Sequence, residues 1–120
     1  MKITEIIQTT QDQYEGYLIY AGGKEHFVGI NGQQCCCEAW DIWAEGDIQS
    51  LVGKNLVGFK QSYPDLDGES RRTREEYQSL AIEVLTDQGS IKICMSNEHN
   101  GYYSHEVVVK SDLFSYSDRL

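Results

Sequence analysis

The chain has 120 residues, 40% of them hydrophobic, which is enough for one hydrophobic core and leaves no room for a second domain. Its net charge of -9 repels nucleic acid backbones, so the composition argues against a general DNA- or RNA-binding role and favours a basic protein partner. No apolar run is long enough for a signal peptide or a membrane span, so we expect a cytoplasmic protein without membrane contact.

The cysteine pattern is the next constraint. Three of the four cysteines are consecutive, Cys35, Cys36 and Cys37, which is not the spacing of a secreted disulfide framework. We therefore expect reduced thiols.

Glycine turns divide the first half of the chain. Tyr17–Tyr20 and His26–Ile30 flank the compact turn Ala21–Lys24, a pattern that predicts an antiparallel hairpin. Leu56–Tyr63 is predicted as a further strand, and the segment Glu38–Glu45 fits either a strand or a helical turn.

One short helix is expected between these elements. Asp47 is placed to cap it, Ile48, Leu51 and Val52 fall on one face, and Gly53 is suited to end it in a left-handed conformation. We expect this helix to lie across the sheet.

Three strands are predicted in the second half. Leu80–Leu85 and Ile91–Ser96 alternate around the turn Asp87–Gly89 and should pair, while Val107–Lys110 should complete a meander. The intervening segment Asn97–Ser104 is longer than a simple turn needs, so we interpret it as a functional hairpin loop.

The predicted fold class is α+β and β-rich: a single domain, residues 1–120, with an antiparallel sheet of about five to seven strands and one or two short helices. Residues 64–74 lack periodicity and are strongly charged, so we expect them to form a mobile, exposed loop.

The strongest candidate site is the aromatic and amide run near the end of the chain. Phenol rings stack on flat ligands, and amides and imidazoles form hydrogen bonds with the polar edges of such ligands. The candidate ligand-binding residues of this run are Asn97, His99, Asn100, Tyr102, Tyr103 and His105. A purely structural loop is the alternative, since Asn and Gly suit tight turns and tyrosines prop loops.

Arginines of the charged loop form a second candidate group. Guanidinium forks fit phosphates, and Arg71, Arg72 and Arg74 are therefore candidates to hold an anion. Pairing with the acidic residues around them is the plainer alternative. With the aromatic run, these arginines would suit a nucleotide pocket.

A possible further cluster comprises Cys36, Glu38, Trp40 and Trp43. Thiolates and imidazoles bind zinc together, but consecutive cysteines of an extended chain point to opposite faces and no Cys-x-x-Cys occurs. No signature of a cysteine hydrolase surrounds Cys36. We therefore expect no metal, no cofactor and no catalytic residue.

A family resemblance rests on two runs of the sequence. Cys36-Cys-Glu38 followed downstream by Asn97-Glu-His-Asn-Gly-Tyr-Tyr103 resembles a small family of tailed-phage proteins over most of the chain. The resemblance implies a phage or prophage origin and the host cytoplasm as location. Small acidic phage proteins frequently block host defence, and one kind, the Thoeris anti-defence sponges, consists of β-rich homo-oligomers that sequester cyclic ADP-ribose-like signals without cleaving them.

Three hypotheses follow from these observations. The first is a non-enzymatic phage protein that sequesters a nucleotide-derived immune signal, a cyclic ADP-ribose-like molecule or a cyclic oligonucleotide, as a homo-oligomer. The second is an acidic, anti-CRISPR-like inhibitor of a host defence nuclease. The third is a zinc- or cysteine-dependent hydrolase that uses Cys36, Glu38, His99 and His105.

Overall fold

A computed structural model describes residues 1–32, 39–64, 77–98 and 104–120 of the chain. Within these ranges nine strands are present. In chain order they are β1 (Ile3–Gln11), β2 (Tyr14–Ala21), β3 (Lys24–Asn31), β4 (Ala39–Glu45), β5 (Leu56–Ser62), β6 (Tyr77–Thr86), β7 (Gly89–Glu98), β8 (Glu106–Lys110) and β9 (Ser115–Arg119). A short 3-10 helix, Ile48–Leu51, joins β4 to β5.

The strands form two antiparallel sheets that share one core. The five-stranded sheet has the order β1-β2-β3-β8-β9 and the four-stranded sheet has the order β4-β7-β6-β5. Fully buried side chains of both sheets, such as Val28 and Ile30 from the first and Ile82 and Ile93 from the second, belong to one hydrophobic cluster. The architecture is therefore a small β-sandwich, since each sheet buries one face against the other.

Both predicted hairpins are confirmed. β2 pairs with β3 from Tyr14 and Asn31 to Ala21 and Lys24, and the two turn residues Gly22 and Gly23 have positive φ angles of 63° and 74°. Consecutive positive φ angles are the backbone of the two-residue hairpin turn that matches strand twist, which is why glycines stand there. β6 and β7 pair around a turn at residues 87–88, and Leu80, Ile82 and Val84 face the core as expected.

The helical content is smaller than predicted. The single helix of the described residues is one 3-10 turn, in which Asp47 accepts a hydrogen bond of 3.1 Å from the backbone N–H of Gln49. Ile48 and Leu51 are buried, but Val52 is 40% exposed because its extended backbone has already left the helix. Two sheets, instead of one sheet with helices, therefore supply the core. The fold is more strictly β than the α+β class expected.

The predicted meander of the last three strands is wrong. β7 pairs with β4 and β6, whereas β8 pairs with β3 and β9 in the opposite sheet. The segment between β7 and β8 therefore connects two sheets and does not close a hairpin. Val107 and Val109 still face the shared core, because alternation along β8 is independent of the sheet that β8 joins.

The ambiguous segment before the helix forms strand β4. Its partner is β7, with Trp40 opposite Asn97 and Trp43 opposite Cys94. In the described part of the chain, no helix has the length and apolar character required to cross a bilayer.

Candidate functional site

The ends of β4, β6 and β7 lie side by side in the four-stranded sheet. Glu98, the last residue of β7, is opposite Ala39, the first residue of β4, and also opposite Tyr77, the first residue of β6. β5 runs antiparallel to β6 and so finishes at this same end.

Contacts between the sheets place the ends of β3 and β8 beside them. The His105 ring, just before β8, lies 6.4 Å from the Trp40 ring of β4, centroid to centroid. Gly32, just after β3, also lies against Trp40, because a Cβ added to Gly32 would lie 3.2 Å from Cζ2 of Trp40. All six strand ends therefore belong to one end of the sandwich, which we call the loop end.

Three connections of the chain begin and end at the loop end: residues 33–38, 65–76 and 99–103. They carry most of the predicted site residues, which lie outside the described residues: Cys36, Glu38, Arg71, Arg72, Arg74, His99, Asn100, Tyr102 and Tyr103. Although distant in sequence, the three predicted clusters are thus attached to one end of the fold.

Asn97 lies in β7, not in the following connection as predicted. Its side chain continues the core face of Ile93 and Met95 and is fully buried. Its Nδ2 donates a hydrogen bond of 2.9 Å to the backbone carbonyl of Leu120. The alternation Ile91, Ile93, Met95 already carries the signal for this position, because the next inward residue is Asn97.

His105 is buried beside Asn97, with 2% of its surface exposed. Its Nδ1 donates to the carbonyl of Asn31 at 2.6 Å, and this assignment follows because a carbonyl only accepts. Its backbone exchanges two hydrogen bonds with Leu120, at 2.8 and 2.9 Å. Through these hydrogen bonds, Asn97 and His105 connect both sheets to Leu120 at the loop end.

The two tryptophans of the second predicted cluster lie on opposite faces of β4. Trp40 packs against the core and approaches His105, whereas Trp43 lies on the outer face, opposite Cys94. The structure therefore places Trp40 beside His105 of the first cluster and Trp43 on the opposite face of β4. Cys94 is a buried thiol that donates to Glu45 Oε1 at 3.0 Å. Among the described residues, no group of three His, Cys, Asp or Glu side chains is arranged to hold a metal ion.

A cavity of about 200 Å³ opens between the sheets near the loop end. It lies where β9, at one edge of the five-stranded sheet, faces β5 and β6 of the other sheet, and we call it the edge cavity. Leu80 and Leu120 contribute apolar surface. The polar residues that line it are Gln61, Tyr63, Ser79, Tyr116, Asp118 and Arg119.

The edge cavity is not apparent from the amino-acid sequence. Its walls come from strands that are far apart in the chain and belong to different sheets. The only local signal is the i, i+2 spacing of Tyr116 and Asp118, which places both on one face of β9.

Tyr116 and Asp118 form the polar centre of the edge cavity. The Tyr116 hydroxyl donates to Asp118 Oδ2 at 3.0 Å, and the Phe114 ring stacks on Tyr116 with centroids 5.8 Å apart. Burial, and then the hydrogen bond and charge of Asp118, raise the pKa of Tyr116 to about 12. The phenol is therefore a neutral donor near pH 7, and Asp118 is an oriented acceptor.

Comparison with known proteins identifies one family. No curated protein and no solved structure matches the chain. One family profile, described as Domain of unknown function (DUF7448), matches residues 1–109, which reach from the first strand through most of β8 and exclude β9. The chain belongs to this DUF7448 family.

Proposed function

We propose that the protein is a non-enzymatic binding protein that sequesters a nucleotide-derived ligand at the loop end. The observation that carries the proposal is the common attachment of residues 33–38, 65–76 and 99–103 at that end. The evidence for this attachment is twofold. Trp40 lies beside His105, and Glu98 is paired with Ala39 on one side and with Tyr77 on the other.

The composition of the three connections supports a nucleotide as the ligand. Tyr102 and Tyr103 offer ring faces for a base, and Asn100 and His99 offer polar groups for its edges. Arginines of the 65–76 connection supply the charge that a phosphate needs. A body with net charge -9 needs such a local cationic group to hold an anion.

The biological role we propose is phage-encoded anti-defence. It rests on the resemblance of the Cys36–Glu38 and Asn97–Tyr103 runs to a tailed-phage family. The ligand would then be a cyclic ADP-ribose-like molecule or a cyclic oligonucleotide, held without cleavage. Homo-oligomerisation is part of this proposal, since the two open sheets leave edge strands available for pairing with a second copy.

Calorimetry with a panel of cyclic dinucleotides and cyclic ADP-ribose isomers tests the binding role. We expect at least one member to bind and to be recovered intact, as mass spectrometry of the mixture would show. Recovery of a cleaved product would instead favour the hydrolase. An absence of binding to every member would contradict the proposal.

A pair of charge-matched variants tests the role of the arginines. Replacing Arg71, Arg72 and Arg74 by Gln should weaken binding at least tenfold, because each lost charge-assisted contact to phosphate costs about 1.5–3 kcal/mol. The control replaces Lys2, Lys24 and Lys54 by Gln, which removes the same charge from the opposite end of the sandwich. Equal loss in both variants would indicate a general charge effect and no arginine site.

An acidic inhibitor of a host defence nuclease is the second candidate, and the net charge of -9 favours it. It predicts retention of a nuclease in a pull-down from host cells. It also predicts that binding weakens when acidic surface residues are neutralised.

A further inference from the structure

Asp118 is an oriented acceptor at the edge cavity. Two donors of the described residues hold it: the Tyr116 hydroxyl binds Oδ2 at 3.0 Å and the Arg119 backbone N–H binds Oδ1 at 2.8 Å. A carboxylate has about four acceptor positions, so each oxygen retains one for a ligand. Each oxygen of this exposed carboxylate can therefore accept one further hydrogen bond from a ligand.

The rest of the cavity suits a flat ring. Tyr63 and Tyr116 supply aromatic surface, and Phe114 fixes the Tyr116 ring by stacking on it at an interplanar angle of 12°. Cavities of about 150 Å³ hold benzene, and drug-sized ligands need about 300 Å³ or more. A cavity of about 200 Å³ therefore takes one ring system and not a whole nucleotide.

We infer that the edge cavity binds the guanine base of a nucleotide ligand, with Asp118 accepting hydrogen bonds from N1–H and the N2 amino group. This inference rests on the proposed function and narrows its ligand to the cyclic oligonucleotides that contain guanine, whose second base remains for Tyr102 and Tyr103. It assigns a specificity residue in β9, outside the part of the chain that matches the family profile.

The hydrogen-bonding edges of the other bases do not complement a carboxylate. Adenine and cytosine each present one amino group next to a ring nitrogen that accepts, and that nitrogen would face a carboxylate oxygen. Uracil presents one N–H between two carbonyl oxygens. Only guanine has two adjacent donors, which is the pattern that a carboxylate binds in the bidentate mode.

The position of the cavity is compatible with phosphate binding at the loop end. Tyr63 lines the cavity, and the connection 65–76, which carries the three arginines, begins two residues after it.

The test compares GMP and AMP by calorimetry on the full chain and on two matched variants. Asp118→Asn keeps the size of the side chain but offers one acceptor and one donor, the combination that pairs with adenine. The control is Asp112→Asn, an exposed aspartate bound to Lys24 at the opposite end of the β8–β9 pair.

We expect the unaltered chain to bind GMP more tightly than AMP. Asp118→Asn should weaken GMP binding about ten- to hundredfold and strengthen AMP binding, because a charge-assisted hydrogen-bonded pair is lost and an adenine-compatible pair is gained. Asp112→Asn should change neither affinity. Tyr116→Phe, which removes one donor that orients Asp118, should weaken GMP binding without favouring AMP.

Two results would overturn the inference while leaving the proposed function intact: binding of GMP that Asp118→Asn does not change, or binding of AMP and cyclic ADP-ribose without binding of GMP. Free arginine serves as a second source of paired N–H donors, and its binding in place of GMP would also overturn the inference. Failure of every nucleotide, including the cyclic panel, would overturn the proposed function together with the inference.

Discussion

Asn97 donates a hydrogen bond of 2.9 Å to the backbone carbonyl of Leu120, and this bond joins the end of β7 in one sheet to the residue that follows β9 in the other. The same carbonyl also accepts from the backbone N–H of His105 at 2.8 Å. One carbonyl oxygen thus fixes three segments at the loop end. The arrangement sets the distance between the sheets where the three connections begin.

The first prediction concerns this bond. Asn97→Ala should lower the free energy of unfolding by about 1–3 kcal/mol, because a buried hydrogen bond is lost and Leu120 loses one of its two donors. Urea unfolding monitored by circular dichroism measures the change. Ser117→Ala, an exposed position of β9, is the control and should stay within about 0.5 kcal/mol. An Asn97→Ala midpoint equal to that of the unaltered chain would contradict the account.

The second prediction concerns close approach of β2 and β3. A Cβ on Gly16 would lie 2.0 Å from the Val28 carbonyl oxygen and 2.6 Å from Cα of Gly29, so the backbone has to shift. Gly16→Ala should therefore destabilise the fold by about 3 kcal/mol or more.

Gly58→Ala is the matched control for Gly16, since, apart from its two chain neighbours, no atom of the described residues lies within 4 Å of its added Cβ. Alanine there should be neutral or stabilising by up to about 1 kcal/mol, because it restricts the unfolded chain. Similar losses of stability in the two variants would show that the tight contact at Gly16 is not decisive.

The third prediction is a dependence of stability on alkaline pH. Burial and Asp118 raise the pKa of Tyr116 from 10.0 to about 12, so the folded state retains the proton longer than the unfolded state. This stabilisation is fully present below pH 10 and is lost as pH rises from 10 to about 12.

Tyr116→Phe isolates that contribution. The difference in unfolding free energy between the unaltered chain and the variant should shrink as pH rises from 9 to about 12 in urea titrations. Tyr14 and Tyr17, whose pKa values are also raised, contribute equally to both proteins and cancel in this difference. A difference that stays constant across that pH interval would contradict the environment assigned to Tyr116.

The local sequence pattern predicts the two hairpins, but it does not show that the strands divide into two sheets. Gly22 and Gly23 specify the first turn, and strict alternation specifies β6 and β7. β1 was missed because a register shift between Ile3 and Glu5 breaks its alternation, so that Ile3 and Ile6, three residues apart, are both buried.

Strand β9 was missed for a different reason. It is an edge strand with few apolar residues. Tyr116 is its one aromatic residue, and the other four are serines and charged residues. The placement of β8 beside β3 was not predictable from neighbouring segments, because the pairing partners are distant in sequence.

The candidate site was predicted only in its residue types. The predicted run contained Asn97 and His105, but their burial depends on the opposite sheet, which supplies Leu120 to Asn97 and Trp40 to His105. The ligand-binding roles of these residues and of the three connections remain predictions. The edge cavity required tertiary structure, since β5, β6 and β9 meet only in the folded sandwich.

The fourth prediction uses the two tryptophans of the chain as reporters. Trp40 lies beside His105 at the loop end and Trp43 lies on the outer face of β4. Trp43→Phe leaves Trp40 as the only reporter, and its emission should change when the nucleotide that binds in calorimetry is added. Trp40→Phe should show little change. A larger response from Trp43 would place the ligand on the outer face of the four-stranded sheet.

Native mass spectrometry of the protein purified from cells with active nucleotide signalling tests whether the protein captures a nucleotide ligand. We expect a bound nucleotide at about one per subunit or per pair of subunits, released intact on denaturation and identified by its mass. A protein that emerges without any nucleotide from such cells, and gains none when the cyclic panel is added, would contradict the account.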